Sequence, residues 1–200
     1  MAQTEKYKGV TFDGSTFPDM PYKTVTVTLN STILNEYIPA LKRALPTALQ
    51  GLYLLLTAMT QQEGFRKGTR SYRTNNPGNI GNTDMGANKT LVTLEDGILL
   101  QANYLHDIIA GKKTAYPMGK EKIIPPFYSA EIAKNPQYGL PAYLPGYKFI
   151  FTGQLDQYVK IYSTGARVTN SYINTIVSYF AAHGLTITPE SKLQDIITMA

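Results

Sequence analysis

The chain has 200 residues, of which 43% are hydrophobic, and its mean hydropathy is −0.18, so it is long enough for one packed domain with an extension. It has no cysteine and only two, widely separated histidines, which excludes disulfides, thiolate metal sites and a cysteine nucleophile. The net charge of +5 favours a polyanionic partner, but the lysines and arginines are scattered, and no basic arm or helix predicts nucleic-acid binding.

The first part of the chain, residues 1–30, is predicted to be an extended arm. Residues 1–23 contain Gly, Pro and Tyr without periodicity, and the segment 23–29 alternates Val and Thr as a strand does. The polar beginning predicts no secretory leader. The longest apolar stretch, 52–59, is far shorter than the roughly 20 residues that span a bilayer. We therefore expect a soluble chain with no membrane span.

The remainder, residues 31–200, is predicted to form one mainly α (α+β) domain. A Gly- and Asn-rich stretch at 64–89 predicts a small β or irregular patch after the second helix. The Pro- and Tyr-rich stretch 112–150 predicts an insertion of short pieces that builds one wall of a cleft. Helices are expected at 32–44, from Pro46 in a first turn to Gln62, at 94–110 after a Thr93–Asp96 capping box, at 153–163, at 169–183 and from Thr188.

The second helix carries an acidic residue at the end of an apolar stripe. Glu63 lies four positions beyond the last stripe residue and just before Gly64, a residue typical of helix ends. Burial and the negative end of the helix dipole both raise a carboxyl pKa, as a general acid requires. The alternative is a solvated side chain at a frayed end. The stripe repeats at steps of four and three: Leu45, Leu49, Leu52, Leu56 and Met59.

The most specific stretch follows this helix. It begins with Glu63-Gly64, continues through a loop with four basic residues, and ends in the turn Asn-Asn-Pro-Gly-Asn-Ile at 75–80. In these residues the chain resembles the lysozyme-like superfamily, and more closely its phage-associated muramidases and lytic transglycosylases. The segments 94–98 and 161–173 are similar to later parts of that family, so the resemblance covers about residues 46–185 apart from 112–150.

The resemblance implies that Glu63 is the catalytic acid and that Tyr162 faces it. Residue types suggest further roles: asparagine amides match an N-acetyl group, Ser71 could orient Glu63 or a water, and Arg73 could support the loop or bind a peptide-stem carboxylate. The alternatives are turn-forming hydrogen bonds for the asparagines and simple packing for Tyr162. The predicted substrate-binding residues are Ser71, Arg73, Asn75, Asn76, Gly78 and Asn79.

A two-acid glycosidase needs a second carboxylate across the scissile bond. Glu95 and Asp96 lie in the first turn of a predicted helix, where acids stabilise the helix dipole, so Asp84 in its Gly- and Asn-rich loop is the better candidate. Without a convincing second acid, the resemblance favours a transglycosylase mechanism with one Glu, which needs no metal and no cofactor. Hydrolysis stays open.

The expected function is therefore a phage-encoded glycosidase that cleaves the MurNAc–GlcNAc β-1,4 bond of peptidoglycan. The enzyme would be associated with the virion, or made in the host cytoplasm and delivered to the wall. The arm, residues 1–30, would bind other virion or tail proteins. The alternative is a virion or tail structural protein with a lysozyme-like fold and weak or no activity. Retention of Glu63 together with the turn at 75–80 argues against that alternative.

Overall fold

A computed structural model describes residues 5–7, 10–12, 23–82, 88–123, 148–163 and 166–200 of the chain. Within these ranges the chain is mainly helical with two small two-stranded sheets, so the predicted fold class is confirmed. The elements in chain order are β1 (Glu5–Tyr7), β2 (Val10–Phe12), a π-helix (Ile33–Tyr37), α1 (Ile38–Ala44), α2 (Gln50–Gln62), α3 (Arg70–Arg73), α4 (Leu94–Ile109), β3 (Glu121–Ile123), β4 (Lys148–Ile150), α5 (Leu155–Tyr162), α6 (Ala166–Ala182) and α7 (Leu193–Ile197).

Helix α2 lies at the centre of the core. All its residues from 54 to 60 are buried, which requires neighbours around the whole helix rather than on one face. Helix α6 packs most extensively against it, and α7 packs beside its first turn, where the Gly51 N–H donates to the Met199 carbonyl over 2.9 Å. Helix α1 packs on α4. The acidic end of α2 is therefore held on a rigid, central element.

The predicted strand at 23–29 is wrong, because these residues form no strand and pair with no sheet. The N–H groups of Lys23 and Val25 instead donate to the side chains of Asn174 and Ser178 on α6, each over 3.0 Å. The alternation of Val and Thr indicates that every second side chain is packed against a neighbour. Helices can cover that side of the segment as well as a sheet can. This part of the predicted arm packs against the helices.

The second helix begins at Gln50, so the predicted start at Pro46 is also wrong. Proline disfavours helical backbone in the residue before it, and Leu45 has φ −129° and ψ 62° at the end of α1. A turn follows, in which the Ala48 N–H donates to the Leu45 carbonyl over 3.1 Å. The first two residues of the predicted stripe therefore precede α2, and Leu49 is 41% exposed.

The later helices lie close to their predicted positions. Helix α4 opens with the expected capping box, and α5 and α6 match the predicted ranges within three residues. The last helix, α7, begins at Leu193 rather than at Thr188, because residues 188–191 form a turn closed by the Ser191 N–H on the Thr188 carbonyl. None of the described helices is long and apolar enough to cross a membrane.

The ends of the predicted insertion at 112–150 meet in a small sheet. Strands β3 and β4 are antiparallel, with Glu121 opposite Ile150 and Ile123 opposite Lys148. Most of the predicted cleft wall, residues 124–147, lies outside the described residues. After α2, the described part of 64–89 is irregular apart from the short helix α3.

Candidate active site

Helix α2 ends at Glu63 through a glycine-dependent turn. Gly64 has φ +69°, a conformation that glycine adopts without strain. The Gly64 N–H donates to the Gln61 carbonyl over 3.1 Å and the Phe65 N–H donates to the Thr60 carbonyl over 3.3 Å, which is the Schellman pattern. Phe65 is only 1% exposed and anchors the departing chain in the core. The predicted role of Gly64 at this helix end is confirmed.

Each carboxylate oxygen of Glu63 has its own hydrogen-bond donor. The Asn79 side chain donates from Nδ2 to Oε2 over 2.9 Å, and the Tyr172 hydroxyl donates to Oε1 over 2.8 Å. The same hydroxyl lies 3.3 Å from the Met59 carbonyl, one turn back along α2. Three separate parts of the chain, namely α2, the turn at 75–80 and α6, therefore meet at this half-buried carboxyl group.

Burial raises the pKa of Glu63 above its ordinary value, as expected from the sequence. The hydrogen bonds from Asn79 and Tyr172 and the positive charge of Arg70 act in the opposite direction. Burial therefore favours the protonated form more than in an exposed glutamate, while the ionised form has two donors to stabilise it. Such a carboxyl group is suited to giving up a proton and taking one back.

The Tyr172 hydroxyl suits both protonation states of Glu63. Burial, and then the charge of Glu63, raise the pKa of Tyr172 well above its ordinary value, so the phenol keeps its proton. When Glu63 is ionised, this proton is donated to Oε1. When Oε1 carries a proton, the phenol oxygen can accept it and donate its own to the Met59 carbonyl.

Asn76 holds the turn together and is not placed to bind a substrate. Its side chain is fully buried, with Nδ2 donating to the Ile80 carbonyl over 2.9 Å and to the Lys89 carbonyl over 3.3 Å. Its Oδ1 accepts the Ile80 N–H over 3.0 Å. The prediction that Asn76 binds substrate is therefore wrong, because all of its hydrogen-bonding groups are used within the protein.

Asn75 is also structural. Its Nδ2 donates to the Leu91 and Val92 carbonyls over 3.2 and 3.1 Å, which ties the turn to the chain before α4. Its backbone has φ 50°, which asparagine tolerates better than most residues. These contacts support the turn-forming alternative, while substrate binding by Asn75 stays a prediction.

Gly78 and Asn79 face protein groups as well. The Gly78 carbonyl accepts the Tyr162 hydroxyl, and a Cβ at this position would lie 3.0 Å from Cγ of Gln101. Gly78 is buried, and a side chain at this position would crowd Gln101, while its contact with substrate stays a prediction. Asn79 does belong to the site, because its amide donates to Glu63, and its contact with substrate stays a prediction.

The tyrosine whose hydroxyl contacts Glu63 is Tyr172, whereas the Tyr162 hydroxyl donates to the Gly78 carbonyl and acts on Glu63 only electrostatically. Tyr162 packs edge-on against Tyr172, with ring centroids 5.9 Å apart and planes at 73°, and its other face meets Tyr158 at 5.6 Å. Tyr172 could have been found from periodicity. It shares a helical face with Ile176 at four positions on, and both are buried where α6 meets α2.

Ser71 and Arg73 do not contact Glu63. Ser71 is 2% exposed and its hydroxyl lies 3.1 Å from that of Thr69, while Arg73 is exposed and donates to the Gly68 carbonyl. The basic residue whose charge acts on Glu63 is Arg70, which was not singled out from the sequence. The loop-supporting role predicted for Arg73 agrees with its contact.

The candidates for a second acid are engaged elsewhere or lie outside the described residues. Glu95 pairs with Arg43 over 2.6 Å, and Asp96 closes the capping box by accepting the Thr93 N–H over 3.0 Å. Their structural interpretation is confirmed. Asp84 lies outside the described residues. Among the residues that the structure describes, no three His, Asp or Glu side chains cluster closely enough to hold a metal ion.

Comparisons of the chain with protein-family models, curated proteins and solved structures found no match. The geometry of the site and the residues themselves therefore carry the functional argument.

Proposed function

We propose that the chain is a peptidoglycan-cleaving glycosidase that breaks the MurNAc–GlcNAc β-1,4 bond with Glu63 as its acid and base. The observation that carries this proposal is the carboxyl group at the end of α2, whose pKa is raised by burial and whose two oxygens receive separate donors from Asn79 and Tyr172. The motif at 63–80, which resembles phage muramidases and lytic transglycosylases, supports it.

In the first step, protonated Glu63 transfers its proton to the glycosidic oxygen as the bond from C1 to that oxygen breaks. The leaving sugar departs as an alcohol, and positive charge develops at C1 and the ring oxygen. Glu63 is now a carboxylate, and the Asn79 amide and Tyr172 hydroxyl stabilise it.

In the second step, the Glu63 carboxylate accepts a proton from the 6-hydroxyl of the same muramic acid while that oxygen forms a bond to C1. The product is a 1,6-anhydro end, and Glu63 regains the proton that it gave away. No water is consumed. The donors around Glu63 suit a residue that alternates between acid and base. The Tyr172 hydroxyl can donate to ionised Glu63, or accept from protonated Glu63 while it donates to the Met59 carbonyl.

The same proposal includes a phage origin and delivery to the bacterial wall. Before delivery, the enzyme would be part of the virion or would be in the host cytoplasm. The net charge of +5 is consistent with a polyanionic wall. Residues 1–30, in this proposal, would bind other virion proteins.

The direct test compares the release of soluble fragments from purified peptidoglycan by the parent, Glu63→Gln and Glu95→Gln. Both variants change a carboxylate to an amide, but Glu95 only pairs with Arg43 at the surface. Glu63→Gln is expected to lose roughly 10²–10⁴-fold in rate, because it lacks the proton donor. Glu95→Gln is expected to keep the parent rate, since surface ion pairs contribute about 0–1 kcal/mol. Cleavage by Glu63→Gln at the parent rate would exclude this role.

A further inference from the structure

We propose that Asn82 is a positioning residue that fixes the direction of the Asn79 amide, so that Asn79 always presents a donor to Glu63. This inference deepens the proposed function and rests on it for its catalytic meaning. The side chain of Asn82 contacts Asn79 and Lys89, so it acts on Glu63 through Asn79.

The direction of the hydrogen bonds is set by a backbone group. The Lys89 N–H, which can only donate, donates to Oδ1 of Asn82 over 2.7 Å. The Asn82 amide therefore has Nδ2 on its other side, and this nitrogen donates to Oδ1 of Asn79 over 3.3 Å. Asn79 in turn has Nδ2 left for Glu63, at 2.9 Å from Oε2. Turning over either amide would place two donors or two acceptors against each other.

The origin of this chain of hydrogen bonds is itself held in place. The Lys89 carbonyl accepts from Nδ2 of Asn76, which is fully buried within the turn. The backbone at Lys89 is therefore fixed on both its N–H and its carbonyl side, and the turn that carries Asn79 supplies the second contact. The fixed Lys89 backbone therefore determines which way the Asn82 and Asn79 amides point.

A donor that is fixed in direction matters because burial opposes ionisation of Glu63. A neutral amide that could turn over would present Oδ1 to a protonated Glu63 and would favour the acid form further. With Asn82 in place, the carboxylate is favoured relative to that alternative, which allows Glu63 to exist as a base after it has acted as an acid.

Several other groups also act on Glu63, and the test must leave them unchanged. Arg70 on α3 acts through its charge, and Tyr172 on α6 acts through its hydrogen bond. Tyr158 and Tyr162 on α5 are electrostatically coupled to the same carboxyl group.

The test is a titration of the Glu63 carboxyl carbon by ¹³C NMR in glutamate-labelled protein, with the resonance assigned from Glu63→Gln. In Asn82→Asp, the new carboxylate accepts both the Lys89 N–H and Nδ2 of Asn79, so Oδ1 of Asn79 turns toward Glu63. The matched control is Asn88→Asp, which adds the same charge at an exposed position next to Lys89. We expect the pKa of Glu63 to rise by about one unit or more in Asn82→Asp relative to Asn88→Asp.

Asn82→Ala provides a second, uncharged measurement that applies even where Asn82→Asp does not fold. It frees the Asn79 amide to turn over, so the pKa of Glu63 is expected to rise by a smaller amount than in Asn82→Asp. Equal pKa values in the two Asp variants, or a parental value in Asn82→Ala, would overturn the inference. Because the titration needs no substrate, a shifted pKa in a protein that cleaves no wall would reject the proposed function and leave the positioning role standing.

Discussion

Replacing Gly97 of α4 by alanine is expected to destabilise the fold, although the same change in most helices is stabilising. A Cβ at Gly97 would lie 1.8 Å from the Asn75 carbonyl oxygen and 2.8 Å from Cδ of Pro77, well inside van der Waals contact. The turn at 75–80 would have to move away from α4 by more than an ångström. That movement would also strain the Asn75 hydrogen bonds to the chain before α4.

The magnitude follows from opposing contributions. Removing a helical glycine contributes about 1 kcal/mol of stabilisation. Overpacking costs about 1–3 kcal/mol, and the loss of two hydrogen bonds costs about 1 kcal/mol each. The net destabilisation is about 2–4 kcal/mol, which in a chain of this size lowers the Tm by about 5–15 °C.

Thermal unfolding followed by circular dichroism measures this effect, with Asn103→Ala as the control. Asn103 is an exposed residue of the same helix, and its replacement is expected to change the stability by less than about 0.5 kcal/mol. A Tm for Gly97→Ala equal to or above that of the parent would refute the close approach of α4 to the turn, and with it the account of how Asn79 is held beside Glu63.

Three further changes probe the site. Because burial raises the pKa of Glu63, the folded chain binds this proton more tightly than the unfolded chain, so the stability decreases as the pH rises from the ordinary value of 4.5 through the folded pKa. Glu63→Gln should therefore raise the Tm more at pH 8 than at pH 4. A difference in Tm between variant and parent that does not depend on pH would contradict this. Tyr172→Phe removes one donor from the Glu63 carboxylate, so the pH above which wall cleavage declines should move upward and the rate should fall by about 10-fold or more. A pH–rate profile that declines at the same pH as in the parent would exclude the contact. Tyr162→Phe should lower the unfolding free energy by about 0.5–1.5 kcal/mol in denaturant titrations, because the Gly78 carbonyl loses its partner, and an unchanged value would contradict the contact.

Features that depend on neighbouring residues were predictable from the sequence. The end of α2 at Glu63, the glycine that follows it and the capping box at Thr93 are all set by interactions within a few residues. The raised pKa of Glu63 also followed from the pattern, since continuing an apolar stripe implies burial. Local rules were sufficient at these positions because the partners lie within one or two helical turns.

Features that depend on partners far away in the sequence could not be predicted from local patterns. Tyr172 lies 109 positions from Glu63. Its helical spacing with Ile176 predicts that it is buried, but that spacing does not show that its hydroxyl lies beside Glu63. The turn was recognised, but the sequence shows only that Asn75 and Asn76 carry donors and acceptors. It does not show that backbone carbonyls of the following segment use those donors. The misassigned strand at 23–29 has the same origin, because its partners are side chains of α6.

Mass spectrometry of the fragments released from purified peptidoglycan tests the central claim most directly. For the parent, a single Glu63 acting as acid and then base predicts muropeptides with 1,6-anhydro ends, and Glu63→Gln should release almost none. Fragments with reducing ends would contradict the single-residue mechanism. Anhydro fragments released equally well by Glu63→Gln would contradict the assignment of Glu63 itself.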